Sequence, residues 1–400
     1  MDQLIWPAWP LPLGALLPVA VALVLTALAG EAGRRIGLPR VSGYALAGIV
    51  LGPLALGWFD TNDLASYRLV VDFTIALILF ELGIRLDLRW LVTNRWVVAA
   101  SAGEMALTFV LTYGALSLVG TGTDVALAVA AIAVGTSPVI LTHVTDELRA
   151  AGPTTDRLLA LCALNVAVSL ILLKLLVGVL HSVHAGWQLA LLHPLYLLLG
   201  PLLAGALIAA AYLGLRRLVD PNSEQGLAAL IALLLAAIAL LSALRLPTLL
   251  APLIAGAFIK WYDPRPHLWP QQIGTVGGVL VIVTFMLSGA AVSAGELFAG
   301  AGVGLLAVLV RALAKLGGAM AFGPVSGLDL RKSLALGVGL MPLSILALLQ
   351  AEDVRLLYPE FGDRLLPIVV AMVVVLGLLG PIATRRALVR VREHRRGDQS

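Results

Sequence analysis

Apolar runs of about 20 residues, the length that crosses a bilayer as a helix, recur along the whole chain with short polar connections between them. They lie near residues 14–30, 41–57, 69–84, 96–118, 125–144, 158–180, 195–215, 225–243, 246–259, 272–290, 300–322, 333–350 and 365–384. The pattern predicts an all-α integral membrane protein of about 13 spans, of which the ninth is short. The amino-terminal stretch Met1–Pro7 lacks the basic start of a signal peptide, so the first run is expected to be a retained span. Residues 1–390 read as one membrane domain. Residues 391–400 read as a basic tail, too short to fold alone and expected to be a solvated end that touches anionic lipid at most.

Composition supports this reading. Apolar residues make up 60% of the chain and charged residues 12%, with a mean hydropathy of +0.99. A soluble domain carries roughly 25% charged residues, so this chain has too little polar material to coat itself in water. The net charge of +4 would suit a nucleic-acid partner if the basic residues were clustered. They are spread through short connections instead, and a nucleic-acid partner is excluded. Of the 27 Lys and Arg residues, 20 fall on the side that carries the tail. Four (Arg68, Arg245, Arg355, Arg364) fall on the other side, and three (Lys174, Arg311, Lys315) fall inside spans. Positive charge is retained in the cytoplasm, so the expected topology has the amino terminus outside and the tail inside. The expected location is a cell (inner) membrane. A single cysteine, Cys162, makes an internal disulfide impossible.

Thirteen spans divide into six, a linking seventh, and six again, as an inverted repeat requires. The fifth span of each half is interrupted. One contains Gly135-Thr136-Ser137-Pro138, the other Gly339-Leu340-Met341-Pro342-Leu343-Ser344. Proline removes an amide donor and clashes with the preceding turn, and in lipid the freed backbone groups need partners. Paired breaks at matching positions point to a transporter's binding site. Two ordinary proline kinks are the alternative.

A charge at mid-bilayer costs about 2.5–3.5 kcal/mol on insertion scales, so each one inside a span needs a reason. Arg311 and Lys315 lie four apart, on one face of span eleven. Glu104 lies roughly 13 Å into span four at 1.5 Å per residue. For these three, a structural ion pair and a transport role stand side by side. Lys174 sits where its stem can snorkel to the interface. His181, His184 and His193 lack the further ligands that a metal site needs, so no metal site is expected. No nucleophile elbow, phosphate loop or cofactor fingerprint occurs, and nothing points to an enzyme or a bound cofactor. Gly48-Ile49-Val50-Leu51-Gly52 is a small-xxx-small motif that speaks for close helix packing.

Several segments, in order, resemble the monovalent cation:proton antiporter (sodium/hydrogen exchanger) family. Gly43-Tyr44-Ala45-Leu46-Ala47-Gly48-Ile49-Val50-Leu51-Gly52-Pro53 is similar to its second-helix signature, and Phe80-Glu81-Leu82-Gly83-Ile84-Arg85-Leu86-Asp87 to the next. Thr136-Ser137-Pro138, Glu147-Leu148-Arg149-Ala150-Ala151-Gly152-Pro153, Phe285-Met286-Leu287-Ser288-Gly289-Ala290 and the Arg311/Lys315/Gly318 spacing continue it. The chain looks most like the bacterial potassium-efflux-like subgroup without a carboxyl-terminal regulatory domain. The resemblance implies a homodimer, with spans one to three and eight to ten as a scaffold. Spans four to six and eleven to thirteen would form a core that carries ions by alternating access.

The family places Asn-Asp or Asp-Asp on span six, and its second residue trades a proton for the cation. Here the pair is Asn165-Val166, and valine does neither. The resemblance and the breaks together nominate Thr136, Ser137, Asn165, Glu104, Arg311 and Lys315 as ion-binding or proton-coupling residues. Gly135, Pro138, Met341 and Pro342 mark the broken helices. Glu104 is the buried acid expected to replace the missing aspartate; its structural role would be to neutralise Arg311 or Lys315. The leading expectation is a secondary transporter exchanging Na+ or K+ for protons. The alternatives are a transport-inactive or regulatory relative, and a transporter of another solute with Arg311 and Lys315 as an anion site.

Overall fold

A computed structural model of the chain describes residues 16–59, 67–182, 187–221, 223–263 and 271–394. Regular structure among them is helical throughout, as the apolar runs predict. The first helices are α1 (Leu16–Arg35), α2 (Arg40–Leu51), α3 (Arg68–Arg85), the short α4 (Leu88–Thr93) and α5 (Arg95–Leu118). Two half-length helices follow, α6 (Thr123–Val134) and α7 (Pro138–Glu147). Next come α8 (Pro153–Ser182), α9 (Trp187–Leu215), α10 (Glu224–Ala243), α11 (Leu250–Tyr262), α12 (Gln271–Ala290) and α13 (Ala294–Phe322). A second half-length pair, α14 (Leu330–Gly339) and α15 (Ile345–Leu357), precedes α16 (Pro359–Arg390).

Among the described residues, eight segments are long and apolar enough to cross a membrane, counting α6 and α7 as one. Arg40–Leu51, Leu250–Tyr262 and Gly277–Ala290 are shorter apolar helices. Leu207, Val110 and Leu309 are at least half exposed, an arrangement that suits lipid and not water. The connections start helices by side-chain capping. Asp87, Ser223, Ser293 and Asp329 accept hydrogen bonds from the amides of Trp90, Gly226, Glu296 and Lys332. The Asp87 cap starts α4, a six-residue helix that the hydropathy pattern did not register.

The contacts obey an inverted repeat. α2 packs on α12, and α3 packs on α11. These two pairs are symmetry mates when span one is matched to span eight. Both are built on facing glycines. A Cβ on Gly48 would lie 2.2 Å from the Met286 carbonyl oxygen, and one on Gly289 would lie 2.4 Å from that of Ala45. At the mate contact, a Cβ on Gly83 would lie 2.2 Å from the Leu253 oxygen and one on Gly256 2.2 Å from the Phe80 oxygen. The small-xxx-small motif thus does what its spacing predicts. In the other half of the structure, α13 lies against α5, α14 and α16, and α8 lies against α6 and α7.

The tail differs from expectation at one residue. Glu393 is buried rather than solvated. Its carboxylate accepts hydrogen bonds from the amides of Thr154 (2.9 Å) and Thr155 (2.7 Å) and from the Thr155 hydroxyl (2.8 Å). It therefore caps the amino-terminal end of α8, where the helix dipole favours negative charge. Gly152, at φ +150°, leaves room for it; a Cβ there would lie 2.5 Å from Glu393 Cδ. Burial alone raises the pKa of this carboxyl, but the hydrogen bonds from Thr154 and Thr155 outweigh it and hold the group below the usual carboxylate range.

Two predictions follow from these contacts. Gly48→Val forces α2 away from α12 and should lower stability by about 1–3 kcal/mol, read as an earlier thermal unfolding transition of the purified protein. Glu393→Gln should cost about 1–2 kcal/mol at neutral pH. Because the folded-state pKa is depressed, the Glu393 contribution is complete above the unfolded value near 4.3. It disappears as pH falls through the lower folded value. The stability gap between wild type and variant should therefore close in acid, and a gap that widens there would contradict this account.

Candidate functional site

The first break follows from local chemistry. α6 runs through alanine and valine to Val134, and Gly135 leaves the helical region at φ −57°, ψ 153°. Ser137 then caps α7, accepting from the Ile140 amide at 3.3 Å, and Pro138 takes the first helical position. Proline is well placed there, because that amide would have no helical partner anyway. Pro138 therefore starts a helix instead of kinking one. The second break runs from Leu340 to Ser344, with Met341 and Pro342 inside it. The two breaks cross. The Ser137 amide donates to the Pro342 carbonyl (2.9 Å), the Thr136 hydroxyl to the Leu340 carbonyl (3.1 Å), and the Ser137 hydroxyl to that of Ser344 (2.7 Å).

Ending two helices inside the protein leaves carbonyls without helical partners. Arg311 of α13 answers both ends at once. Its Nε donates to Ala133 O (2.8 Å) and its Nη2 to Gly135 O (2.7 Å), at the end of α6. Its Nη1 donates to Met341 O (2.5 Å) and its Nη2 also to Leu340 O (3.3 Å), at the end of α14. Only a guanidinium has a planar fork wide enough to bridge two backbones in this way. One turn on, Lys315 Nζ donates to Val134 O at 2.8 Å. Positive charge at helix carboxyl ends is favourable, and here it is fully enclosed, with both side chains at 0% exposure.

Glu104 reaches this cluster from α5. It can do so because α13 carries Gly318 opposite it; a Cβ there would lie 2.9 Å from Glu104 Cα. Glu104 Oε1 pairs with Lys315 Nζ at 2.8 Å and accepts from the Thr108 hydroxyl at 3.0 Å. Glu104 Oε2 accepts from Asn165 Nδ2 at 3.2 Å. The same Asn165 nitrogen donates to Thr136 Oγ1 at 3.3 Å. The Asn165 carbonyl oxygen is buried with no hydrogen-bond partner. Val166, one residue on, is at 0% exposure and packs in an apolar cluster that also contains Leu141 and Leu158.

All six nominated residues are thus brought together at the crossing. The structural role read for Glu104, to neutralise Arg311 or Lys315, falls to Lys315, while four carbonyls satisfy Arg311. One expectation needs correction: Arg311 and Lys315 do not form an open anion site, because their donors are directed at backbone oxygens and Glu104. Lys174 also does more than snorkel, with Nζ 3.5 Å from Asp353 Oδ2. His184 lies outside the described residues, and the structure describes no side chain for His181. Among the described residues no group of three His, Cys, Asp or Glu side chains is placed to hold a metal.

Sequence reading missed Thr108 and the buried pair Ser169–Gln350, whose amide and hydroxyl meet at 3.2 Å beyond Asn165. The signal for Thr108 was present. Ser101, Glu104, Thr108 and Thr112 recur at helical spacing on α5 and are all at 0% exposure.

The chain matches the transmembrane sodium/hydrogen exchanger family over residues 20–390. Its backbone is similar to that of the sodium proton antiporter MjNhaP1 of Methanocaldococcus jannaschii at pH 8, with a TM-score of 0.73 at 17% identity, covering 94% of this chain and 99% of that one. It is 36% identical over 93 residues to the Na(+)/H(+)-K(+) antiporter GerN of Bacillus cereus, a stretch covering 23% of this chain and 24% of GerN. It is 29% identical over 100 residues to the iron transporter MagA of Paramagnetospirillum magneticum, covering 24% of this chain and 23% of MagA. These curated matches span about a quarter of each relative's length. The family match runs through both breaks and through the helices that carry Glu104, Asn165, Arg311 and Lys315, and the chain belongs to the sodium/hydrogen exchanger family.

Proposed function

We propose that this multi-pass membrane protein exchanges a monovalent cation, Na+ or K+, for protons, with Glu104 as the titrating group. The observation that carries this reading is one buried carboxylate, held by Lys315, Thr108 and Asn165 where two broken helices cross. Val166 cannot bind a proton or a cation, Arg311 is consumed by carbonyls, and hydroxyls and amides do not titrate near neutrality. Glu104 is therefore the group at the crossing that can alternate between a proton and a cation. The Asn165 carbonyl oxygen, the Thr136 hydroxyl and the Glu104 carboxylate supply the oxygen ligands that a hard monovalent ion prefers. A cation binds once the Glu104 carboxyl has released its proton, taking the place of the Lys315 ammonium at the carboxylate. When the cation leaves, a proton replaces it on Glu104, so each cation moved one way is matched by a proton moved the other.

The same reading makes α1–α3 and α10–α12 a scaffold and α5–α8 with α13–α16 a moving core. Thirteen crossings place the amino terminus outside and the tail in the cytoplasm, and two copies form a homodimer. Leu118 and Leu218, at 89% and 84% exposure on opposite sides of this topology, are suited to test it. In a Cys162→Ala background, Leu118→Cys should react with an impermeant thiol reagent from outside and Leu218→Cys from inside. The reverse pattern at either position would sink the topology.

Glu104→Gln should abolish cation-dependent proton flux in liposomes. It also strands the Lys315 ammonium and should cost about 3–5 kcal/mol of stability. Adding Lys315→Gln should recover most of that stability without recovering flux, which separates chemistry from folding. Antiport that survives Glu104→Gln unchanged would remove Glu104 from the mechanism. Val166→Asp restores the family acid and should create or strengthen cation-dependent proton movement. Flux seen only in that variant would favour the transport-inactive reading of the natural chain.

A further inference from the structure

α3 carries its charges in mirror order, Arg68 and Asp72 at one end and Glu81 and Arg85 at the other. The two arginines are about 26 Å apart along the helix at 1.5 Å per residue, close to the thickness of a bilayer's hydrocarbon layer. Each reaches away from α3 to the far end of a different broken helix. Arg85 pairs with Asp146 of α7 through two parallel bonds, Nη1–Oδ1 and Nη2–Oδ2, both 2.8 Å. Arg68 pairs with Asp353 of α15. The two acids are equivalent by position: Asp146 is the eighth residue after Pro138, which begins α7, and Asp353 the eighth after Ile345, which begins α15. Apart from these pairs, α3 packs mainly on α11 and α12.

We infer that Arg85–Asp146 and Arg68–Asp353 are paired latches, one at each membrane face, that tie α3 to the two broken helices and set which face opens to the site. The inference rests on the alternating-access reading above. With both latches closed, as here, Thr136, Asn165 and Glu104 are all at or below 1% exposure. The neighbouring charges fit latches that open and re-form. Glu81 holds Arg85 from its own helix. Asp72 lies 3.7 Å from Arg68, and Lys174 shares Asp353 at 3.5 Å. Each arginine thus keeps a partner on α3 when it releases the broken helix. The latch side chains are 31–53% exposed. Such pairs bias an equilibrium by no more than about fivefold, enough to set facing and too little to arrest it.

The test uses Thr136→Cys in a Cys162→Ala background, labelled with a cationic methanethiosulfonate reagent from each face of the membrane. Arg85→Ala should speed labelling from the Arg85 face by up to about fivefold, and Arg68→Ala should speed it from the opposite face. Arg85→Asp combined with Asp146→Arg should return the rate to that of the parent, which a merely misfolded variant would not do. Equal rates in parent and variants, with the reporter reactive, overturn the latches and leave alternating access standing. A reporter unreactive from both faces in every variant overturns alternating access and the latches with it.

Discussion

The structure depends on one constraint: backbone carbonyls released inside a membrane protein must find donors. An unmade hydrogen bond to a buried group costs about 1–3 kcal/mol, and two broken helices end here within hydrogen-bonding distance of each other. The carboxyl end of a helix carries about half a negative charge, so α6 and α14 together present about one. A single guanidinium, that of Arg311, offsets it and supplies the donors as well. This explains how a permanently charged side chain sits at 0% exposure without a carboxylate beside it. The breaks and Arg311 stabilise each other: the breaks supply the guanidinium's acceptors, and Arg311 supplies donors to the carbonyls of Ala133, Gly135, Leu340 and Met341.

That division of labour leaves Lys315 and Glu104 with different work. Lys315 spends one bond on Val134 and the rest of its charge on Glu104. Since Arg311 already neutralises the helix ends, the Glu104–Lys315 pair is close to balanced by itself. It can be disturbed without unmaking the crossing. A buried pair of this kind contributes little net stability compared with apolar packing, so its place in the protein is better explained by chemistry than by stability. Val166, in a cluster with Leu141 and Leu158, shows the complementary choice, because the position beside Asn165 is here given to the apolar core.

The rest of the fold serves to hold the crossing in place. Facing glycines seat α2 on α12 and α3 on α11 so closely that backbones meet. Close approach replaces the hydrophobic driving force that lipid cannot provide. α3, so anchored, reaches both broken helices through its terminal arginines, and Glu393 pins the end of α8, the helix that carries Asn165. Rigid contacts therefore surround a centre whose own bonds are the exchangeable ones.

Membrane crossing, helix class, the two breaks and their matching positions were all determined by the sequence. Each rests on local chemistry: an apolar run of bilayer length must be helical, and glycine with proline must interrupt it. The small-xxx-small contact was legible for the same reason. Pairing was a different matter. Which of Arg311 and Lys315 would take Glu104 was not legible, because charge spacing along one helix says nothing about carbonyls on another. Only the crossing of α6 and α14 supplied them. Glu393 looked solvated until the fold brought the amino end of α8 beside it, and Lys174 and Arg68 found Asp353 only when α3, α8 and α15 converged. Hydrophobic period and backbone-breaking residues act within one segment, and the sequence carries them openly. Which donor meets which acceptor is set by segments up to hundreds of residues apart, and tertiary structure alone decides it.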